Sequence, residues 1–339
     1  MMSGRTSTRT GRLCLAAALG AAIAGCGKSK DSGAAARPEG PAVHVVVSID
    51  WEGAYFRSEA LDALELFRKD NPGVPITHML NAAYYTKPQA DPAEATKEMR
   101  IAVKHGDDTG LHVHAWKSLV AAAGVTPKLT PSFLSRTNEL LPFEDDTGFD
   151  VDLSAYSVAE LRSILRKSRQ LIEAQKLPLG SSFRAAGWLG TPNVLEAARA
   201  EGFTIDTSAT DPAWLDEPET PYLQERLRVL WVKINQTTQP FWIDTQAGRI
   251  LEMPDSGALA DYTTVLEIEG HVERAAAAVK ASKKSIIVHL GFHAETADDF
   301  APRLSEALSR LRGKGTPMVF DTVSTAAELA RRELSPAAR

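Results

Sequence analysis

Cysteine is nearly absent, with two residues in 339. Cys14 lies inside a short apolar leader, so a processed chain is expected to keep Cys26 alone, and no disulfide framework is available. Positive charge is also short: 38 Lys and Arg face 43 Asp and Glu, a formal net charge of −5. Without a basic surplus to condense on a phosphate backbone, no nucleic-acid partner is expected. After residue 25 no hydrophobic run is long enough to cross a bilayer. No Gly-x-Gly-x-x-Gly opens a helix-like segment, so a dinucleotide fold has no support. The composition, 44% hydrophobic and 24% charged, is globular, and it excludes collagen-like, rod-like and wholly disordered chains.

In the leader, Arg5, Arg9 and Arg12 precede any acid, and an apolar run from Leu13 to Ala24 ends in Ile23-Ala24-Gly25-Cys26. The pattern reads as a secretory signal over residues 1–25. It resembles the bacterial lipoprotein type, in which the Cys becomes the lipidated first residue; the alternative is a plain signal with an incidental Cys. Removing it leaves 35 basic and 43 acidic residues, a net charge of −8. Residues 26–41 are rich in Gly, Ala, Ser, Lys and Pro and read as a flexible tether. The resemblance implies a lipid anchor on Cys26 and a place in the periplasm or at the cell surface. Gly27 in place of Asp leans towards the outer membrane.

From Val43 onward, β-branched runs alternate with helical spacing. Strands are expected at Val43–Asp50, Ile76–Asn81, Thr109–His114, Ser182–Ala186, Phe203–Thr207, Ile250–Met253, Ser285–Phe292 and Met318–Asp321. Helices are expected at Ser58–Asp70, Pro92–His105, Ser157–Gln175, Asn193–Glu201, His271–Ala281, Pro302–Arg312 and Ser324–Glu333. Asp91 is a candidate cap, and Ser157 with Glu160 a capping box. Alternation with nearly continuous apolar strands means parallel strands covered on both faces. The fold class is α/β: an irregular (β/α) barrel of about seven strands over 42–335. An open doubly wound sheet is the rival. Insertions near 126–155 and 211–250 interrupt the alternation and are expected to wall the strand ends.

Four strand ends carry polar groups. Asp50 and Glu52 follow an apolar strand at period two, so both face one way and Trp51 the other. His112 and His114 share a face in the same manner, and two neutral imidazoles about 7 Å apart along a strand can converge on one cation. Arg184 stands in a small apolar strand, where it needs a carboxylate partner. His289 and His293 close the last apolar run. Two carboxylates, paired His, an Arg and several Trp form the inventory of a metal-assisted hydrolase. Residue spacing alone leaves open which carboxylate binds metal. Trp116 and Trp188, with His293, are the candidate substrate contacts, since flat aromatic faces suit sugar rings.

In order along the chain, Ser48-Ile49-Asp50-Trp51-Glu52, Gly106-Asp107-Asp108-Thr109-Gly110-Leu111-His112, Phe183-Arg184-Ala185-Ala186-Gly187, Gly202-Phe203-Thr204-Ile205-Asp206 and Ile287-Val288-His289 resemble the motifs of the polysaccharide deacetylase family, metal-dependent carbohydrate esterases. The resemblance implies Asp50 as general base, Arg184 as its holder, His289 as general acid, and Glu52 with His112 in the metal site. The family's second motif is His-x-x-x-His, but position 116 is Trp, so His114 has to supply the other imidazole. The implied cofactor is a divalent metal, Zn first, with Co, Ni or Mn as alternatives. The implied substrate is acetylated polysaccharide or peptidoglycan, losing acetyl groups at the cell envelope. Two other readings remain: a degenerate carbohydrate-binding lipoprotein on the same barrel, and a hydrolase of cyclic amides or ureides.

Overall fold

The computed structural model describes residues 40–134, 146–215, 221–257 and 259–335, all within one compact unit. The leader and Cys26 lie outside the described residues, as do parts of both expected insertions. In chain order the elements are β1 (Val43–Asp50), α1 (Ser58–Asp70), β2 (Thr77–Leu80), α2 (Pro92–Ala102), β3 (Asp108–Val113), α3 (Lys117–Ala122), α4 (Val158–Ala174), β4 (Ser182–Ala185), α5 (Pro192–Ala200), β5 (Ile205–Asp206), α6 (Pro221–Leu230), β6 (Phe241–Thr245), β7 (Gly248–Glu252), α7 (Val265–Ser282), β8 (Ile286–His293), α8 (Ala297–Gly313), β9 (Met318–Asp321) and α9 (Val323–Leu334). Among the described residues no helix is long and apolar enough to cross a membrane.

The strands run β6-β7-β5-β4-β3-β2-β1-β8 in space, with β9 also on β1. All these ladders are parallel except the β6–β7 hairpin. β8 pairs with β1 along its whole length, from Val43↔Ile286 to Asp50↔His293. The other edge of β1 is shared, with β9 against Val43–Val46 and β2 against Ser48–Asp50. Among the described residues no ladder joins β7 to β8; the gap is crossed by a Leu259↔Gly291 bridge and a hydrogen bond from Gly257 N to the His289 carbonyl. The sheet therefore curls into an irregular half-barrel of eight parallel strands with the antiparallel β6 at one edge, and not a fully laddered ring.

Local chemistry explains the elements. The Val-rich β1 is buried on both faces because helices cover one side and side chains fill the other. α4 begins with the reciprocal Ser157–Glu160 capping box and turns Leu161, Ile164, Leu165 and Ile172 inward. Each such side chain stabilises the fold by about 1.5–3 kcal/mol. α1 packs against α8, and Phe67 of α1 meets Phe292 of β8 edge to face at 5.4 Å. Several features differ from the sequence reading, among them two in the second half of the chain. α8 starts at Ala297, not Pro302, because Asp298 and Asp299 favour the helix N-terminus, and Pro302 is carried inside the helix although it cannot donate to the carbonyl four residues back. The insertion near 211–250 contains α6 and the edge strand β6, whose residues are only half buried and so lack a core strand's apolar run.

Candidate active site

The C-terminal ends of β1, β3, β4 and β8 open into a cavity of about 220 Å³. Asp50, Glu52, His112, His114, Arg184, Trp188 and His293 all line it. Opposite them stand Phe133, Phe149, Leu223 and Tyr262.

Glu52 leaves β1 on the same side as Asp50, as period two requires. Its Oε1 is 3.2 Å from His112 Nε2, and its Oε2 is 2.8 Å from His114 Nε2. The two Nε2 atoms are 3.0 Å apart. Both imidazoles are fixed from behind: His112 Nδ1 lies 3.0 Å from the Arg184 carbonyl and His114 Nδ1 lies 2.8 Å from the Phe149 carbonyl. A carbonyl only accepts, so each Nδ1 must carry its proton, and each ring in its neutral form would present an Nε2 lone pair. Two lone pairs and a carboxylate meet at one point, an arrangement that a cation reconciles and that carbonyl-oriented imidazoles are suited to provide. The three donor atoms lie within 4.8 Å of one another. The residues therefore fit a divalent ion. Phe149 stacks on the His114 ring at 4.1 Å and holds its plane. Burial alone would raise the Glu52 carboxyl, but the His114 and His293 charges and the His112 hydrogen bond outweigh it, holding the group well below the usual carboxylate range.

Behind this triad, Arg184 Nη1 donates to both Asp50 oxygens at 2.9 Å. Its Nε donates to the Thr207 carbonyl and hydroxyl. Asp50 is thus a buried carboxylate whose partner cannot lose its charge. A further carboxyl, Asp255, lies 3.7 Å from Arg184 and accepts Trp188 Nε1 at 2.9 Å. Burial pushes Asp255 up to about 6 despite Arg184.

Two sequence expectations need correction. His289 does not line the cavity: it is 1% exposed, and its Nε2 is taken by Arg184 Nη2 at 3.2 Å and Ser48 Oγ at 2.9 Å. Burial, reinforced by Arg184, pushes its pKa well below the ordinary value and leaves the ring neutral. It cannot hand a proton to a group in the cavity. Trp116 is not a substrate face either, being fully buried with Nε1 donating to the Glu52 carbonyl at 2.8 Å and Lys87 over its ring.

His293, four residues beyond His289 on the same strand face, does reach the cavity. Its Nε2 is 3.5 Å from Glu52 Oε1, while its Nδ1 is 2.8 Å from Asp261 Oδ1. Burial lowers its pKa, but Asp261, Glu52 and Asp50 more than reverse this and push it up to about 10. Asp261 escaped the sequence reading because it sits in a loop between β7 and α7 with no periodicity around it. Trp188 lines the cavity at φ +56°, after Gly187 at φ +59°. Such a left-handed pair is costly for a bulky residue. Here it is held by the Asp255 contact and by Trp231 Nε1 donating to the Trp188 carbonyl at 2.8 Å.

No protein-family model matches the chain, and no curated protein matches it either. Solved structures do. One, assigned as a polysaccharide deacetylase from Mycobacterium smegmatis, is 14% identical over 88% of this chain and 94% of that one, with a TM-score of 0.51. Another polysaccharide deacetylase assignment, from Pseudomonas aeruginosa, is 12% identical over 88% of this chain and 95% of that one, at a TM-score of 0.47. The PuuE allantoinase is also 12% identical, over 86% of this chain and 93% of that one, again at 0.47. The first likeness establishes a shared fold, the irregular deacetylase-type (β/α) barrel.

Proposed function

We propose that the chain is a divalent-metal-dependent hydrolase that removes acetyl groups from acetylated polysaccharide at the cell envelope. The observation that carries this reading is the meeting of three elements around one cavity: the Glu52–His112–His114 donors, Asp50 gripped by Arg184, and His293 backed by Asp261. Glu52, His112 and His114 would hold the metal, with Zn first and Co, Ni or Mn as alternatives; when bound, it would polarise an acyl oxygen and acidify a water. Asp50 accepts the proton of the attacking water, and Arg184 holds that carboxylate in place through both of its oxygens. As the water oxygen bonds to the acyl carbon, the C–N or C–O bond breaks. His293 then delivers the proton from Nε2 to the departing amine or alkoxide, while Asp261 orients the ring through Nδ1. Trp188 and Tyr262, edge to face at 5.6 Å, supply the aromatic wall against a sugar ring.

The binding-only alternative rested on Trp at position 116. What favours catalysis is that His114 Nε2, not a residue at 116, stands 3.0 Å from His112 Nε2. The envelope location, through lipidation of Cys26, is part of the same proposal.

The test is acetate release from acetylated chitin oligomers, peptidoglycan and acetylated exopolysaccharide, with bound metal measured in parallel. His112→Ala and His114→Ala are expected to abolish stoichiometric metal and acetate release together. Asp50→Asn is expected to keep the metal and lose about 10²–10⁴-fold in kcat. Wild-type turnover by metal-stripped protein would overturn the reading, and ureide hydrolysis without acetate release would redirect it.

A further inference from the structure

Immediately after β1 the chain runs Glu52-Gly53-Ala54, and its amides turn towards a side chain that the chemistry above does not use. Glu52 N donates to both Glu295 oxygens at 3.1 Å, and Ala54 N donates to Glu295 Oε1 at 3.3 Å. The Tyr84 hydroxyl donates to the same oxygen. From the other side, the Glu52 carbonyl accepts Asn81 Nδ2 at 3.1 Å and Trp116 Nε1 at 2.8 Å. The peptide that carries the Glu52 side chain is therefore gripped at its N–H and at its C=O by different elements. Gly53 completes the turn at φ +77°, where a Cβ would lie 2.7 Å from Asn81 Oδ1.

Glu295 also faces the cavity. A carboxylate placed beside Glu52 incurs like-charge repulsion. Burial and Glu52 push Glu295 up to about 7, and the amide and hydroxyl donors on its two oxygens counter that rise only in part. Its own position is fixed by the short turn Ala294–Thr296 that follows β8, and Arg57 ties that turn down by donating to the Glu295 carbonyl and to Asp298.

We propose that Glu295 is a positioning residue that sets the Glu52 carboxylate for metal binding by clamping the backbone of residues 52–54. It touches neither metal nor substrate and acts through Glu52. The inference rests on the metal-dependent reading above and adds a residue to it. Orienting groups of this kind are worth about 10–100-fold in metal affinity.

The experiment is Zn²⁺ titration by competition with a chromophoric chelator, on metal-stripped full chain, with a thermal melt of each metal-free protein. Glu295→Gln is the test variant, since it preserves size and keeps one accepting oxygen. It is expected to bind Zn²⁺ about 10-fold more weakly, with a metal-free melting temperature close to wild type. Glu295→Ala is expected to lose up to about 100-fold. Tyr84→Phe, which leaves both amide contacts in place, is expected to lose less than either. A Glu295→Gln protein with wild-type Zn²⁺ affinity overturns the clamp while leaving the metal site intact. A wild-type chain that binds none of Zn²⁺, Co²⁺, Ni²⁺ and Mn²⁺ overturns the metal-dependent reading itself, and the clamp falls with it.

Discussion

Two imidazoles four residues apart on β8 point the same way, yet their surroundings give them opposite properties. His289 sits under Arg184 and stays neutral; His293 sits at the strand end among carboxylates and is pushed up to about 10. Only His293 has both a proton to give and an opening through which to give it. Asp261→Asn tests this assignment. Losing one carboxylate lowers the His293 pKa, so the alkaline limb of kcat should move to lower pH and kcat should fall by about 10-fold or more. An alkaline limb left where wild type has it would remove His293 from the proton-donor role. The sign for stability follows from the same shift. A pKa above the ordinary 6.5 means His293 stabilises the metal-free fold fully below about 6.5 and loses that contribution as pH rises through about 10. The Asp261→Asn protein should show a smaller pH-dependent component in thermal melts, because Glu52 and Asp50 still face the ring.

At this scale the sequence was informative where spacing is local. Asp50 could be set beside Glu52, and His112 beside His114, because period two orients each pair, and Arg184 could be placed because a lone Arg in an apolar strand demands a carboxylate. The family resemblance, not the spacing, implied Glu52 rather than Asp50 as the metal carboxylate. Glu295 and Tyr84 were not legible, since they act through backbone amides that carry no residue identity. Trp116 was misread because a Trp beside a His-rich strand end serves a packing role as readily as a sugar face, and only burial separates the two.

Among the elements, legibility followed the strength of the local signal. β1, α1 and β9 fall at the residues their patterns indicate, and α4 starts where the Ser157–Glu160 box places it. Weakly patterned elements were invisible: α3 is six residues long, and β6 is a half-exposed edge strand. α7 extends six residues further towards its N-terminus than expected, because Thr264 with Glu267 forms a second capping box. Caps of this type are worth about 1 kcal/mol. Ser157→Ala should therefore lower the melting temperature by about 2–4 °C. Zn²⁺ affinity and kcat should stay at wild-type values, because α4 supplies no cavity-lining residue. A change in metal affinity would mean that the outer helices govern the site more than this geometry allows.

For the molecule as a whole, polarity decides how the barrel faces its surroundings. The chain enters β1 at Val43, and the cavity lies at the other end of that strand, beyond Asp50. At about 3.3 Å per residue the two ends are roughly 25 Å apart. Under the proposed lipidation of Cys26, the attachment enters the barrel at the end opposite the cavity, which leaves the strand ends accessible to a polymer. One acyl chain gives only marginal membrane affinity, so stable anchoring requires the multiply acylated Cys of a lipoprotein. Cys26→Ser should then abolish labelling by radioactive palmitate and shift the protein from the membrane fraction to the soluble fraction. Zn²⁺ stoichiometry and acetate release from a soluble oligomer should be unchanged, because Cys26 lies 17 residues before β1 and is none of the residues proposed to hold metal or substrate. If Cys26→Ser protein remains in the membrane fraction, the anchor lies elsewhere; if wild type is itself soluble and unlabelled, the leader is a plain secretory signal and the barrel works unattached.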